Sequence, residues 1–157
     1  PLTRGLFARV DAADFTRLRD TAWTAMQRNH ITYAHGLHPE RGRVYVYLHR
    51  FIMNARVRYR VDHINLNGLD CRRMNLRMAT RSENARNRSK QGNNTSGFKG
   101  VSASKRKWRA RIAIDGEERY IGTFPTPAEA ARAYDAAARE LHGAFARTNF
   151  TVTGDQS

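Results

Sequence analysis

The stretch VDHINLNGLDCRRMNLRMATRSEN, residues 61–84, decides the reading of this chain. It sets Asp62 beside His63, surrounds them with asparagines and arginines, and holds no second acidic residue until Asp70. Val61 to Ile64 has strand character, Asn67-Gly68 marks a turn, and Leu76 to Ala79 can return antiparallel to the first run. Thr80 with Glu83 then forms a T-x-x-E capping box, so the pattern predicts a helix beginning near Arg81 and running toward Arg88. The order is strand, loop, strand, helix. Asn84 falls in the first turn of that helix, near enough to share a site with Asp62 and His63. These two point to opposite sides of their strand unless the strand end twists.

A hard divalent cation such as Mg²⁺ takes oxygen ligands, keeps several waters and often uses only one or two protein groups plus phosphate oxygens. Asp62 and Asn84 meet that description. His63, with an ordinary pKa near 6.5, suits a general base acting on water at neutral pH. Asn75 has a quieter expected role, in which its carboxamide ties the loop to the backbone of the His63 strand and so orients the imidazole. His49 and the histidines at 30, 35, 38 and 142 have no such partners and read as structural or solvent-facing.

The order Asp62-His63-Ile64-Asn65, Asp70-x-Arg72, Asn75-Leu76-Arg77, Thr80 and Asn84 resembles the signature of the HNH endonucleases, the ββα-metal nucleases of phages and introns. The upstream run VYVYLHRFIM resembles the family's lead-in. The resemblance implies that Asp62 and Asn84 bind one Mg²⁺ or Mn²⁺, that His63 is the base, and that Asn75 is the middle Asn of the name. Cys71 is a departure, since family members commonly place another Asn there.

Charge points the same way. The chain has 157 residues and 28 Lys plus Arg against 14 Asp plus Glu, a formal net charge of +14, and only four of the cations are lysine. Arginine's planar fork matches phosphate oxygens and the guanine edge, so this balance favours double-stranded DNA over a membrane surface. Cys71 is the only cysteine, which excludes an intrachain disulfide and a cysteine-based zinc cluster. No apolar run approaches the roughly 20 residues of a membrane span, and PLTRGLFARV lacks the apolar core of a secretory signal. The expectation is a protein acting in the cytoplasm of a bacterial host cell, bacterial or phage-encoded.

Ahead of the decisive stretch, residues 6–10 read as a strand and Asp11 as the N-cap of a short helix carrying Phe15 and Leu18. Ile31 to Leu37 and Val44 to Leu48 read as two strands of a small sheet, with a helix starting at HRFIMN. After it, QGNNTSG (91–97) is polar and turn-rich, and reads as a linker. FKGVSAS, KWRARIAI and RYIGTF then give three strands, with Asp115-Gly116 as the hairpin between the second and third. TPAEAARAYDAAARELHG gives a helix opened by Thr126, Pro127 and Glu129 and stopped by Gly143.

Alternation in KWRARIAI puts Trp108, Ala110, Ile112 and Ile114 on one face, and Arg109, Arg111 and Ala113 on the other. The first face can meet the alanine-rich helix; the second, extended by Lys99, Ser102, Ser104 and Tyr120, can lie in a major groove. GFKGVSASKRKWRARI, YIGTF, AAxAYDxAA and RTNF together resemble an AP2 DNA-binding domain over residues 97–150. Ser102 and Ser104 stand where plant members often carry Arg, so base preference does not transfer.

The expected architecture is α+β: an N-terminal small sheet leading into a ββα-metal unit, then a three-stranded antiparallel sheet packed on one helix. Its parts are a nuclease domain over 1–90 with its core at about 60–90, a linker at 91–96, a DNA-binding domain at 97–150 and a tail at 151–157. The expected activity is metal-dependent hydrolysis of a DNA phosphodiester, one strand per active site, as in small phage or mobile-element homing endonucleases, with Arg72, Arg73, Arg77 and the C-terminal sheet holding the duplex. Two alternatives stand beside it: a DNA-binding regulator with a degenerate HNH unit, and a nuclease directed at RNA. Monomer and dimer are both compatible with the sequence.

Overall fold

Strand alternation and two capping boxes account for most of the architecture of the computed structural model, which describes residues 1–90 and 92–151. Gln91 of the expected linker and residues 152–157 of the expected tail lie outside the described residues. The chain divides into two units, Pro1–Asn84 and Ala85–Ser157.

In the first unit, α1 (Ala12–Leu18) precedes a three-stranded antiparallel sheet of β1 (Thr24–Arg28), β2 (Ile31–Leu37) and β3 (Tyr45–Tyr47). Next come α2 (Leu48–Ile52), the antiparallel pair β4 (Arg60–His63) and β5 (Leu76–Ala79), and α3 (Arg81–Arg86), across whose length the division into units falls. β4, β5 and α3 are the strand, strand and helix of the ββα pattern. Leu18, Ala34, Leu48, Phe51, Ile52, Val61, Cys71 and Leu76 form the buried core between these elements.

Two N-terminal expectations meet a different arrangement. Residues 6–10 form no strand; Arg9 makes only an isolated parallel bridge, donating from its backbone N to the Leu69 carbonyl at 2.8 Å and accepting from Cys71 N at 2.8 Å. Asp11 sits at the N-cap of α1 but does not cap it with its side chain; its Oδ2 accepts from Arg73 N at 2.7 Å instead. A long-range donor has displaced the local one.

β1 is absent from the sequence-based expectation because the hairpin joining it to β2 turns at Asn29 and His30, both with positive φ (48° and 66°). An Asn-Gly pair would have announced that turn; His at positive φ is uncommon and carries no sequence signal.

In the second unit β6 (Val101–Ser104), β7 (Lys107–Ile114) and β8 (Glu117–Phe124) form an antiparallel sheet in that order, covered by α4 (Pro127–His142). Ala110 and Ile112 face inward at 0% and 2% exposure, against Ala130, Ala131, Tyr134 and Ala138 of α4. The alanines let helix and sheet approach closely. Thr126 and Glu129 form the reciprocal capping box at the start of α4, and Gly143 ends it. Asp135, 1% exposed, accepts from Asn149 N, Asn149 Nδ2 and Phe150 N at 2.7, 3.0 and 2.9 Å. That explains why the AYD of the helix and the closing TNF occur together: one buried carboxylate satisfies three donors of the returning chain.

Candidate functional site

Asp62 and His63 occupy adjacent places on β4, opposite Arg77 and Leu76 of β5. Both are buried, at 5% and 6% exposure. A buried carboxylate needs compensation, and Arg77 supplies it with Nε and Nη2 donating to Asp62 Oδ2 at 2.9 and 2.7 Å. The loop between the two strands is held by Asn75. Its Oδ1 accepts from Asn65 N at 3.0 Å, its Nδ2 donates to the Asp70 carbonyl at 2.7 Å and to Asn65 Oδ1 at 3.0 Å, and its carbonyl accepts from Ile64 N at 2.9 Å. These four bonds fix the chain on both sides of the turn, one residue past His63.

His63 lies in a wall of rings. His49 of α2 meets it with ring centroids 4.8 Å apart and planes at 75°, and Tyr33 of β2 stands 5.9 Å away. The Cys71 Sγ lies 3.9 Å from His63 Nε2. Burial lowers the His63 pKa to about 4 despite the opposing charges of Asp62 and Asp70, so the imidazole is neutral at physiological pH. Burial, and then the His63 ring, lower His49 to about 3. The Cys71 thiol is pushed up to about 12, chiefly by burial, and stays protonated.

Asp70 is held in the opposite direction. Arg72 grips it through Nε and Nη2 at 2.8 and 2.7 Å and Asn65 Nδ2 adds a bond at 2.9 Å, keeping its carboxyl down at about 2 against the cost of burial. Arg73 likewise donates to both oxygens of Asp14 at 2.8 and 2.7 Å. Asn84 sits on α3 behind the capping box of Thr80 and Glu83, its N–H donating to the Thr80 carbonyl at 3.0 Å.

In the second unit, the outer face of the sheet carries Arg109, Arg111, Glu118, Tyr120 and Thr123 around a shallow hollow of about 420 Å³. A register shift at Ala110/Arg111 places Arg109 opposite Thr123 and Arg111 opposite Tyr120. Tyr120 and Thr123 therefore share a face and hydrogen-bond at 2.7 Å, although strict alternation would separate them. Arg109 donates to Ser104 at 2.9 Å and Arg111 to Glu118 at 2.8 Å. Ser102, opposite Arg109, is exposed. Lys99 turns elsewhere: its Nζ donates to the Arg86 carbonyl at 2.5 Å, and burial lowers its pKa to about 8.

The family model described as HNH endonuclease matches residues 46–86, which hold the end of β3 and all of α2, β4, β5 and α3. The chain is 38% identical over 91 residues to Protein 3.8 of Escherichia phage T7, covering 57% of this chain and 74% of the phage protein. The chain belongs to the HNH endonuclease family. It is also 36% identical over 109 residues to an uncharacterized HNH endonuclease of Acanthamoeba polyphaga mimivirus, covering 65% of this chain and 56% of that relative. Its C-terminal part is similar to plant AP2/ERF proteins: 49% identity over 63 residues links it to an ethylene-responsive transcription factor of Arabidopsis thaliana, covering 37% of this chain and 24% of the plant protein. The chain thus spans about a quarter of the plant relative and just over half of the mimivirus one.

Among the described residues no group of three or more His, Cys, Asp or Glu side chains gathers to hold a metal ion, and Asp62 Oδ2 accepts from Arg77; the oxygen donors that a hard divalent ion would take are those of Asp62 and Asn84. Asp62 offers a carboxylate and Asn84 a carboxamide, both hard oxygen donors, and the partly exposed Asn84 lies on the helix that follows β5 directly. Sequence reasoning read His49 as structural or solvent-facing and without partners at the site, whereas its ring packs on His63, and it passed over Tyr33, beside His63, and Glu118 and Thr123, which line the hollow. The signal that could have found His49 is its place in the lead-in run; for Thr123 there was none, because the bulge is not written in the residues around it.

Proposed function

We propose that this HNH protein is a DNA endonuclease that hydrolyses one phosphodiester per active site and is targeted by its AP2-like sheet. The observation that carries this reading is His63 beside Asp62 at the end of β4, next to a loop clamped by Asn75. Asp62 and Asn84 would hold one Mg²⁺ or Mn²⁺. Such an ion, when bound, stabilises charge on the phosphoryl group and on the departing 3′ oxygen.

The rest falls to the chain's own groups. His63, whose Nε2 lies 3.9 Å from the Cys71 Sγ, takes the proton of the attacking water. The new P–O bond forms as the bond to the 3′ oxygen breaks, leaving a 5′-phosphate and, after protonation from solvent, a 3′-hydroxyl. Asn75 keeps the imidazole in place through the backbone it ties. Ser102, Ser104, Arg109, Arg111 and Tyr120 make direct contacts to the duplex, Arg109 and Arg111 exchanging their bonds to Ser104 and Glu118 for phosphate or base oxygens, while Arg72, Arg73, Arg77 and Lys99, held by Asp70, Asp14, Asp62 and the Arg86 carbonyl, hold the duplex with donors left over from those bonds. A single copy nicks.

The competing reading, a regulator without catalysis, draws on the Asp62–Arg77 pair, because a carboxylate neutralised by a guanidinium is also a purely structural arrangement. Supercoiled plasmid incubated with the full chain in Mg²⁺, Mn²⁺ or EDTA separates the two. Metal-dependent relaxation that disappears in His63→Ala supports the enzyme. An inert wild-type protein that still binds the plasmid supports the regulator.

A further inference from the structure

The outer face of the first sheet has no part in the proposed hydrolysis, and its composition is unlike that of an ordinary solvated face. In β2 the inward residues are Ala34 and Gly36, both buried, with a Cβ at Gly36 meeting the Trp23 ring at 3.1 Å. Tyr33, His35 and Leu37 lie on the other face, Tyr33 half-buried against His49, His63 and Gly68, and are paired across the register with Met26, Thr24, Tyr47 and Tyr45. The rings touch in sequence. His35 lies 5.7 Å from Tyr45 and 6.5 Å from Tyr47, Tyr47 lies 5.8 Å from Tyr33, and Tyr33 reaches His63 at 5.9 Å. A track of rings therefore runs from the exposed Tyr45, at 69% exposure, to the candidate base.

Two of the polar tips on this track are engaged within the protein. Arg28 donates to the Tyr47 hydroxyl at 3.4 Å, and His35 Nε2 shares a hydrogen bond with Thr24 Oγ1 at 3.0 Å. The exposed Tyr45 ring, the ring edges beside it and the Arg28 charge are what this surface offers a ligand. The surrounding chain is one-sided in charge as well: residues 21–61 contain seven arginines and a single acid, Glu40. Aromatic rings with cations and almost no carboxylate are the composition of surfaces that stack bases and track a phosphate backbone.

We propose that the outer face of β1–β3 is a stacking surface for unpaired bases of the DNA strand entering the His63 site. It rests on the nuclease reading only for the direction in which the strand runs. Unpaired bases are favoured over an intact groove because the Tyr47 hydroxyl and His35 Nε2 are spent on Arg28 and Thr24, whereas every base has a face to stack on an exposed ring such as Tyr45.

The test is binding by the full chain in EDTA, with no cleavage required. Fluorescence anisotropy compares a continuous duplex with the same duplex carrying a short single-stranded gap, and 2-aminopurine in the gap reports stacking. The wild-type protein should bind the gapped duplex about tenfold more tightly, as expected for one or two stacked bases, and quench the probe. Tyr45→Ala combined with Arg28→Ala, both at exposed positions, should lose that preference while binding the continuous duplex within about twofold of wild type. Arg111→Ala should weaken both equally. Equal affinity for the two duplexes, a preference that survives the double substitution, or self-association that Tyr45→Ala abolishes while base stacking is undetectable would each overturn the proposal. A protein that prefers gapped DNA yet cuts no plasmid would overturn the nuclease reading alone.

Discussion

The His49 ring stands edge-to-face against the His63 ring, 4.8 Å between centroids, and stacks on Tyr47 at 5.4 Å and 26°. Its Nδ1 is buried with no hydrogen-bond partner among the described residues. An unpartnered ring nitrogen costs about 1–3 kcal/mol relative to a satisfied one, so its packing contribution has to exceed that cost. Holding the plane of His63 is the role the geometry supplies.

Replacing His49 should accordingly separate shape from chemistry. His49→Ala is expected to lower kcat for plasmid nicking about 10- to 100-fold with little change in KM, because a loosened base loses its aligned geometry. His49→Phe, which keeps the ring and removes the orphaned nitrogen, should recover most of kcat and raise Tm. Equal losses in both variants would point to a direct chemical role for the imidazole.

The same pair sets a pH dependence of stability. Both histidines are neutral in the fold, with pKa values lowered to about 3 and about 4, while the unfolded chain protonates near 6.5. The unfolded state then binds more protons as pH falls through 6.5, so stability present at pH 7 is lost between about pH 6.5 and pH 4. Urea unfolding should show a loss of ~2–4 kcal/mol from pH 7 to pH 5, and a visibly flatter profile in His49→Phe.

Arg77 neutralises Asp62 from a side chain only 16% exposed. Arg77→Met leaves a buried carboxylate without its guanidinium, a loss of about 3–5 kcal/mol, or roughly 10 °C or more in Tm for a unit of this size. Mn²⁺ should restore several degrees in that variant and fewer in wild type, since a cation at Asp62 replaces the missing charge. A metal-insensitive melting curve for Arg77→Met would count against Asp62 as a ligand.

Gly100 has φ +75°, and a Cβ there would run into the Tyr134 ring and lie 2.8 Å from the Arg111 carbonyl. Gly100→Ala should therefore destabilise the full chain by about 3 kcal/mol or more, combining left-handed strain with overpacking against α4. Denaturant titration of a Trp23→Phe background, followed by Trp108 fluorescence, checks this; a change below about 1 kcal/mol would mean that the sheet and helix yield more readily than their packing suggests.

Cys71 is fully buried and its thiol is pushed up to about 12. A thiol-specific reagent at pH 8 should leave the native protein almost unlabelled and react promptly once urea exposes the residue. Fast labelling in native buffer would show that the loop beside His63 opens.

What the residues determined alone is whatever short-range interactions dictate. The capping boxes at Thr80/Glu83 and Thr126/Glu129, the Asp115-Gly116 turn, and the inward and outward alternation of β7 all rest on groups a few positions apart, and each formed as its spacing demands. The ββα order around Asp62, His63 and Asn84 was legible for the same reason. Tertiary structure decided the rest. Arg73 drew Asp11 away from the helix it would have capped, α2 brought His49 onto His63, and a bulge opposite Ala110 turned Thr123 to the face of Tyr120. Each depends on a partner distant in sequence or on a slip of register, and local patterning has no means of encoding either.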